Sequence, residues 1–282
     1  MTKVNEDYPK KQLSDAKLKQ LATEQYQETA VESYDFPTEI IDLPSKGKLY
    51  PKDHILSSGT IEMKYMTAKE EDILTNQSYI KQGVVLDKLF KALIMTKVNY
   101  NDILLCDKNS IMIAARILGY GKDYDISVPD PESDEMISHT VDLTDLKDKE
   151  IDWSLIDEGI NAFSLTLPTS KKQVKLKLLS QGEQAKIDAE LKGLIKIKKE
   201  AGLTTLLKHV IVELDGDDDK SKIRKFVDTN LLAIDSRAIR QFLKTITPEI
   251  DMSIDVPVGE AGDTFPSQLS IGLDFFWPDA EL

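Results

Sequence analysis

The chain has 282 residues, enough for one large or two modest domains, and its 41% hydrophobic and 30% charged residues give an ordinary globular balance. Its 49 acidic against 36 basic residues leave a net charge of -13, which excludes a general binder of nucleic-acid backbone, since that task needs a basic surface. A single cysteine, Cys106, and three scattered histidines exclude an internal disulfide and the usual zinc spacings, so a reducing compartment is expected. Met1–Tyr8 is charged, without the apolar run of a signal peptide, and no stretch approaches the roughly 18 apolar residues of a membrane span. The expectation is a soluble protein made in a cytoplasm.

Residues 1–35 are polar, with weak helical spacing at Leu13, Leu18, Leu21 and Tyr26, and read as a helical or partly disordered arm. The lead-in segment Phe36–Pro51 holds three prolines that favour extended backbone, with a tight turn at Pro44-Ser-Lys-Gly47. Thr60–Met66 alternates as a strand. Thr67 with Glu70 forms a capping box ahead of Ile73 and Leu74. A second helix runs from about Val84, with Leu86, Leu89, Phe90, Leu93 and Ile94 on one face. Asn101–Leu118 supplies one or two more helices, stopped at Gly119-Tyr-Gly121, so residues 36–120 form a lead-in, a strand and a helical unit.

Residues 121–282 read as a hairpin-rich α+β region. Tyr124–Val128 and Met136–Leu143 form one hairpin around the turn-rich Pro129–Asp134. An acidic connector carrying Trp153 leads to a second hairpin, Asn161–Leu167 with Gln173–Leu178. From Gln184 the period is helical, with Ile187, Leu191, Leu194 and Ile195 on one face, and Lys192–Lys199 is the solvated side of that helix. Leu203–Leu214 is ambiguous, though Val210–Leu214 leans to strand. Asp235 or Ser236 caps a helix stopped before Pro248. A last hairpin joins Ser253–Val258 to Gln268–Leu273, ahead of Phe275-Phe-Trp-Pro278. The fold class is therefore α+β: a polar arm, a small helical unit, and antiparallel hairpins interleaved with helices.

The chemistry-bearing patterns fail one by one. Asp215-Gly-Asp-Asp-Asp-Lys220 has Lys220 and Phe226 where a calcium loop needs Gly and Glu, and reads as a solvated acidic turn. Cys106 has no histidine in a cysteine-hydrolase context and reads as a small buried thiol. Gly119-Tyr-Gly121 lacks the third glycine and preceding strand of a dinucleotide loop. No catalytic residue, metal ligand or cofactor site is assigned. Arg116, set in an apolar helix, calls for a partner such as Asp107 or Asp123, or else for a carboxylate on another protein. In Phe275-Phe-Trp277, neighbouring side chains of an extended strand face opposite sides, so at least one is expected to leave the core. The candidate partner-binding residues are Phe275, Phe276, Trp277, Arg116 and Tyr124.

The order of motifs resembles the baseplate hub assembly chaperone family of T-even-type contractile-tailed phages. The matching segments are Leu43-Pro-Ser-Lys-Gly-Lys-Leu-Tyr-Pro51, Gly59 with its strand, Thr67–Leu74, Gly83–Leu89 and Ala114–Gly121. Val141–Leu143, Phe163–Pro168, Asp235–Arg237, Ile246–Pro248 and Phe275–Pro278 follow in the family's order. The resemblance spans about residues 36–278. It implies a bacteriophage protein, made in the host cytoplasm, that binds a hub or tail protein during virion morphogenesis without enzymatic activity; the charge and hydropathy add no nucleic acid and no membrane span. Where many members look as though they pair cysteines, this chain has Pro129–Ser133 and Gly259–Asp263, so a metal-stapled version of the hairpins is not expected. A permanent baseplate or tail subunit is the alternative, and a carboxylate-based hydrolase is a distant one, supported only by the abundance of acids.

Overall fold

The computed structural model describes residues 37–130, 135–196, 201–258, 263–272 and 274–276. The chain divides into two units, Met1–Phe36 and Pro37–Leu282, and all described residues belong to the second. The arm expected at residues 1–35 lies outside them.

The fold is α+β. Among the described residues every strand pairing is antiparallel, within separate small sheets. β1 (Thr38–Asp42), in the proline-bounded lead-in, pairs with β2 (Thr60–Lys64). The loop between them turns at Gly47, whose φ of +72° is left-handed. A Cβ there would stand 2.4 Å from the Ser57 carbonyl oxygen, so the turn requires glycine.

α1 (Ala68–Leu74) opens as the capping box foretells: the Thr67 amide donates to Glu70 at 3.0 Å and its hydroxyl at 2.6 Å. The Lys64 ammonium joins the same carboxylate at 2.8 Å. α2 (Gln77–Gln82) was not expected; Asn76 caps it by accepting the Ser78 and Tyr79 amides. α3 (Val85–Leu93) buries Val85, Leu89, Phe90 and Leu93, each such side chain contributing about 1.5–3 kcal/mol. α4 (Leu105–Tyr120) is buried on several sides and stops at Gly121.

β3 (Asp123–Pro129) and β4 (Met136–Asp142) form the first expected hairpin; its tip at residues 131–134 is outside the described residues. β5 (Phe163–Thr166) and β6 (Gln173–Leu176) form the second, extended to three strands by β7 (Ile211–Leu214). α5 (Gln181–Lys196) and α6 (Gly202–Val210) come between β6 and β7, so the ambiguous stretch is helix to Val210 and strand after it.

Four expectations are corrected. Ile195, placed on the buried face of α5, is 67% exposed. Past the acidic turn runs an unexpected helix, α7 (Lys220–Thr229), because Asp219 is an N-cap that accepts the Ser221 amide at 2.8 Å. In α8 (Ala233–Ile246) Asp235 is not the cap. It lies in the first turn, fully buried, and accepts the Thr169 and Ser170 amides at 2.9 and 3.1 Å, tying the helix to the β5–β6 turn. β8 (Ser253–Val258) pairs with β9 (Asp263–Gln268), five residues earlier than the expected partner strand. Pro266 is tolerated there because a two-stranded ribbon has only edge strands.

One hydrophobic core runs from Leu43 to Phe276 and crosses residue 120, so the expected division at 120/121 does not separate two cores. Lys192 and Lys196 are exposed, and residues 197–200 lie outside the described residues. Among the described residues no helix is long and apolar enough to cross a membrane.

Candidate partner-binding surface

The lead-in loop is locked to α4 by a buried carboxylate. Asp107, in the first turn of α4, accepts the Ser45 amide at 2.9 Å, the Ser45 hydroxyl at 2.8 Å and the Tyr50 hydroxyl at 2.7 Å. The Tyr50 oxygen in turn accepts the Leu104 amide at 2.9 Å. Burial pushes the Asp107 carboxyl above its usual range, against these donors. Burial, then the neighbouring Asp107, push the Tyr50 phenol up so that it stays protonated and donating. The group is a lock with its polar atoms spent on the chain itself.

Four of the five expected binding residues gather around the other end of α4, three of them buried. Phe275 and Phe276 are both 0% exposed. They sit in a 3-10 turn, Asp274–Phe276, where the two-sided alternation of a strand does not apply. Phe276 packs on Phe275 at 5.5 Å and on Phe90 at 6.1 Å between ring centroids, and Phe275 meets Tyr124 edge-on at 4.8 Å. Phe275 and Phe276 therefore both face inward, and of the three aromatics Trp277 alone is left for the expectation that at least one leaves the core. Trp277 lies outside the described residues.

Arg116 is 2% exposed and closed to an outside carboxylate. Neither Asp107 nor Asp123 pairs with it through a carboxylate. Its guanidinium donates to the Gly121 carbonyl at 3.1 Å and the Asp123 carbonyl at 3.4 Å, between the rings of Tyr120 and Tyr124 at 5.2 and 5.7 Å. It holds the chain just beyond α4, since both carbonyls follow the helix's last residue, Tyr120. Half-buried Tyr124 faces this cluster, so Arg116, Tyr124, Phe275 and Phe276 do come together, as a core junction.

The open surface is on the other side of β1. A groove of about 420 Å³ has Ser110, Ile113, Ala114 and Ile117 of α4 as its floor, with Leu143, Leu146, Asp148 and Ile250 as one wall. Its other wall is Glu39–Asp42, four consecutive residues of β1, so the groove runs along the strand's edge rather than its face. The floor residues have the i, i+3, i+4, i+7 spacing of one helix stripe, and Ser110 and Ala114 are small enough to leave it hollow. Glu39, Asp42 and Asp148 are exposed carboxylates on its rim, without an ion pair among the described residues, and Ile40 is 72% exposed.

A second concavity of about 210 Å³ is lined by Lys177, Lys208 and Arg224, which are paired with Glu183, Asp228 and Glu190 respectively, and by Lys186 and Lys220. The groove beside β1 has about 420 Å³ and an apolar floor.

No protein-family model matches the chain, and no curated protein or solved structure matches it. A functional reading rests on its own residues and their geometry. The groove residues escaped the sequence reading for a specific reason: α4 is apolar nearly all round, so its pattern does not tell which stripe stays half open. The signal that was present is Ile40-Ile41. Neighbouring residues of a strand face opposite sides, so one isoleucine had to be outward.

Proposed function

We propose that this chain is a non-enzymatic assembly chaperone of the phage baseplate hub or tail, which binds a hub component in the host cytoplasm and holds it until it docks. The observation that carries the reading is the groove, which offers an apolar floor, an open strand edge and an acidic rim, the means of holding a protein segment. The motif order supports the family part of the reading. Contacts run from three of these motifs to residues beside or between them: Ser45 and Tyr50 to Asp107 of α4, Asp235 to Thr169 and Ser170, and Phe275 to Tyr124. Binding is stoichiometric in this account, because the sequence has no phosphate-binding loop to drive a cycle.

A permanent baseplate subunit would use the same groove. Mass spectrometry of purified virions separates the two roles. The chaperone reading expects the chain in infected-cell lysate and only at trace level in finished particles; stoichiometric presence in particles overturns it in favour of a structural subunit.

A further inference from the structure

The β1 edge is directional, and the hydrogen bonds across the hairpin show which groups are free. Leu43 donates its amide to Gly59 at 2.8 Å and Tyr65 donates to Pro37 at 3.1 Å. With Ile41 opposite Ile61 and Glu39 opposite Met63, the bonded pairs of this ladder are the odd-numbered residues of β1. The backbone N–H and C=O groups of Thr38, Ile40 and Asp42 therefore point away from β2. Across β2 the same alternation holds: Glu62, opposite Ile40, turns outward and receives the Met95 amide at 2.8 Å. Among the described residues no backbone group pairs with the outward side of β1. Thr38, Ile40 and Asp42 thus present an unpaired ladder directly along the groove.

We propose that the groove takes an extended segment of a partner protein as a third strand, added antiparallel or parallel to the outer edge of β1. This rests on the partner-holding reading above and names the chemistry of what is held. An added strand sends every second side chain down onto Ile113, Ala114 and Ile117, so it carries apolar residues at alternate positions. Its remaining side chains and its ends meet Asp42 and Asp148, so it is basic, with lysine or arginine interleaved or flanking. The chain's net charge of -13 draws such a segment in and repels acidic ones. Alternation and basicity together specify the occupant; Ile195-Lys-Ile-Lys-Lys199 of this chain has the same pattern, so capture of a second copy is the outcome that concentration-dependent self-association would reveal.

The probe is an alternating lysine–valine heptapeptide, tested on the full chain beside a glutamate–valine peptide of the same length. Amide hydrogen exchange on saturation with the lysine peptide is expected to slow Thr38, Ile40 and Asp42 by about tenfold or more, with Glu39 and Ile41 little changed. Affinity for the glutamate peptide should be weaker by about tenfold or more. Ile40→Pro removes one outward amide without touching the β2 ladder, and should weaken binding by about tenfold while leaving the melting temperature unchanged. Should Ile40→Pro lower the melting temperature, Asp42→Lys with Asp148→Lys provides the second variant, with the same expected loss. Protection spread over other segments, equal affinity for both peptides, or concentration-dependent self-association that protects the same amides without peptide would overturn the proposal. The function reading fails separately: peptide capture on β1 with no hub protein bound sinks the chaperone role and leaves the strand-addition site standing.

Discussion

Asp107→Ala is expected to lower the free energy of unfolding by about 3 kcal/mol or more. Deleting the carboxylate leaves the Ser45 amide, the Ser45 hydroxyl and the Tyr50 hydroxyl without their acceptor, all in the interior. Each buried donor left unsatisfied costs on the order of 1–3 kcal/mol, and relief from burying a charge offsets only part of the sum. The loss should fall on the lead-in loop first, because Asp107 is what fastens Ser45 and Tyr50 to α4. Urea titration of wild type and variant measures it. Asp107→Asn, which keeps one acceptor, is expected to lie between the two. An alanine variant within about 0.5 kcal/mol of wild type would mean that the lock does not hold the loop.

The second large effect is at the end of the chain. Phe276→Ala should cost about 3–5 kcal/mol, since a fully buried ring packed on Phe90 and Phe275 is replaced by a cavity. Phe275→Ala should cost a similar amount, because its ring is equally enclosed and meets Tyr124 edge-on. Parallel denaturation of the two variants tests the 3-10 turn that points both rings inward. If either substitution costs less than about 1 kcal/mol, that ring is not part of the core.

Much of the fold was legible because local chemistry agreed with the final structure. The Thr67–Glu70 box, the glycine stop after α4 and the alternation in β3–β4 and β5–β6 each carry their own signal. What was hidden depended on long-range partners. Asp235 looks like a helix cap, yet its carboxylate serves the Thr169 and Ser170 amides of a distant turn. Arg116 demanded compensation that the sequence located in a carboxylate, whereas backbone carbonyls and tyrosine faces supply it. The acidic run before α7 reads as solvated until its last aspartate is seen to start a helix. At the candidate site, the aromatic tail drew attention because it is unusual in sequence, and two of its three aromatics, Phe275 and Phe276, are core. The groove is made of ordinary isoleucines and small residues whose exposure only the packing of β1 on α4 decides.

The most direct measurement of the central claim is co-purification of the tagged chain with co-expressed hub and tape-measure proteins, wild type beside the Asp42→Lys, Asp148→Lys double variant. Both aspartates are exposed rim residues outside the core, so the double variant should melt with the wild type. The account predicts that wild type retains one hub component in stoichiometric amount and that the double variant loses it. Retention of no hub component by wild type, or equal retention by both proteins, would contradict it.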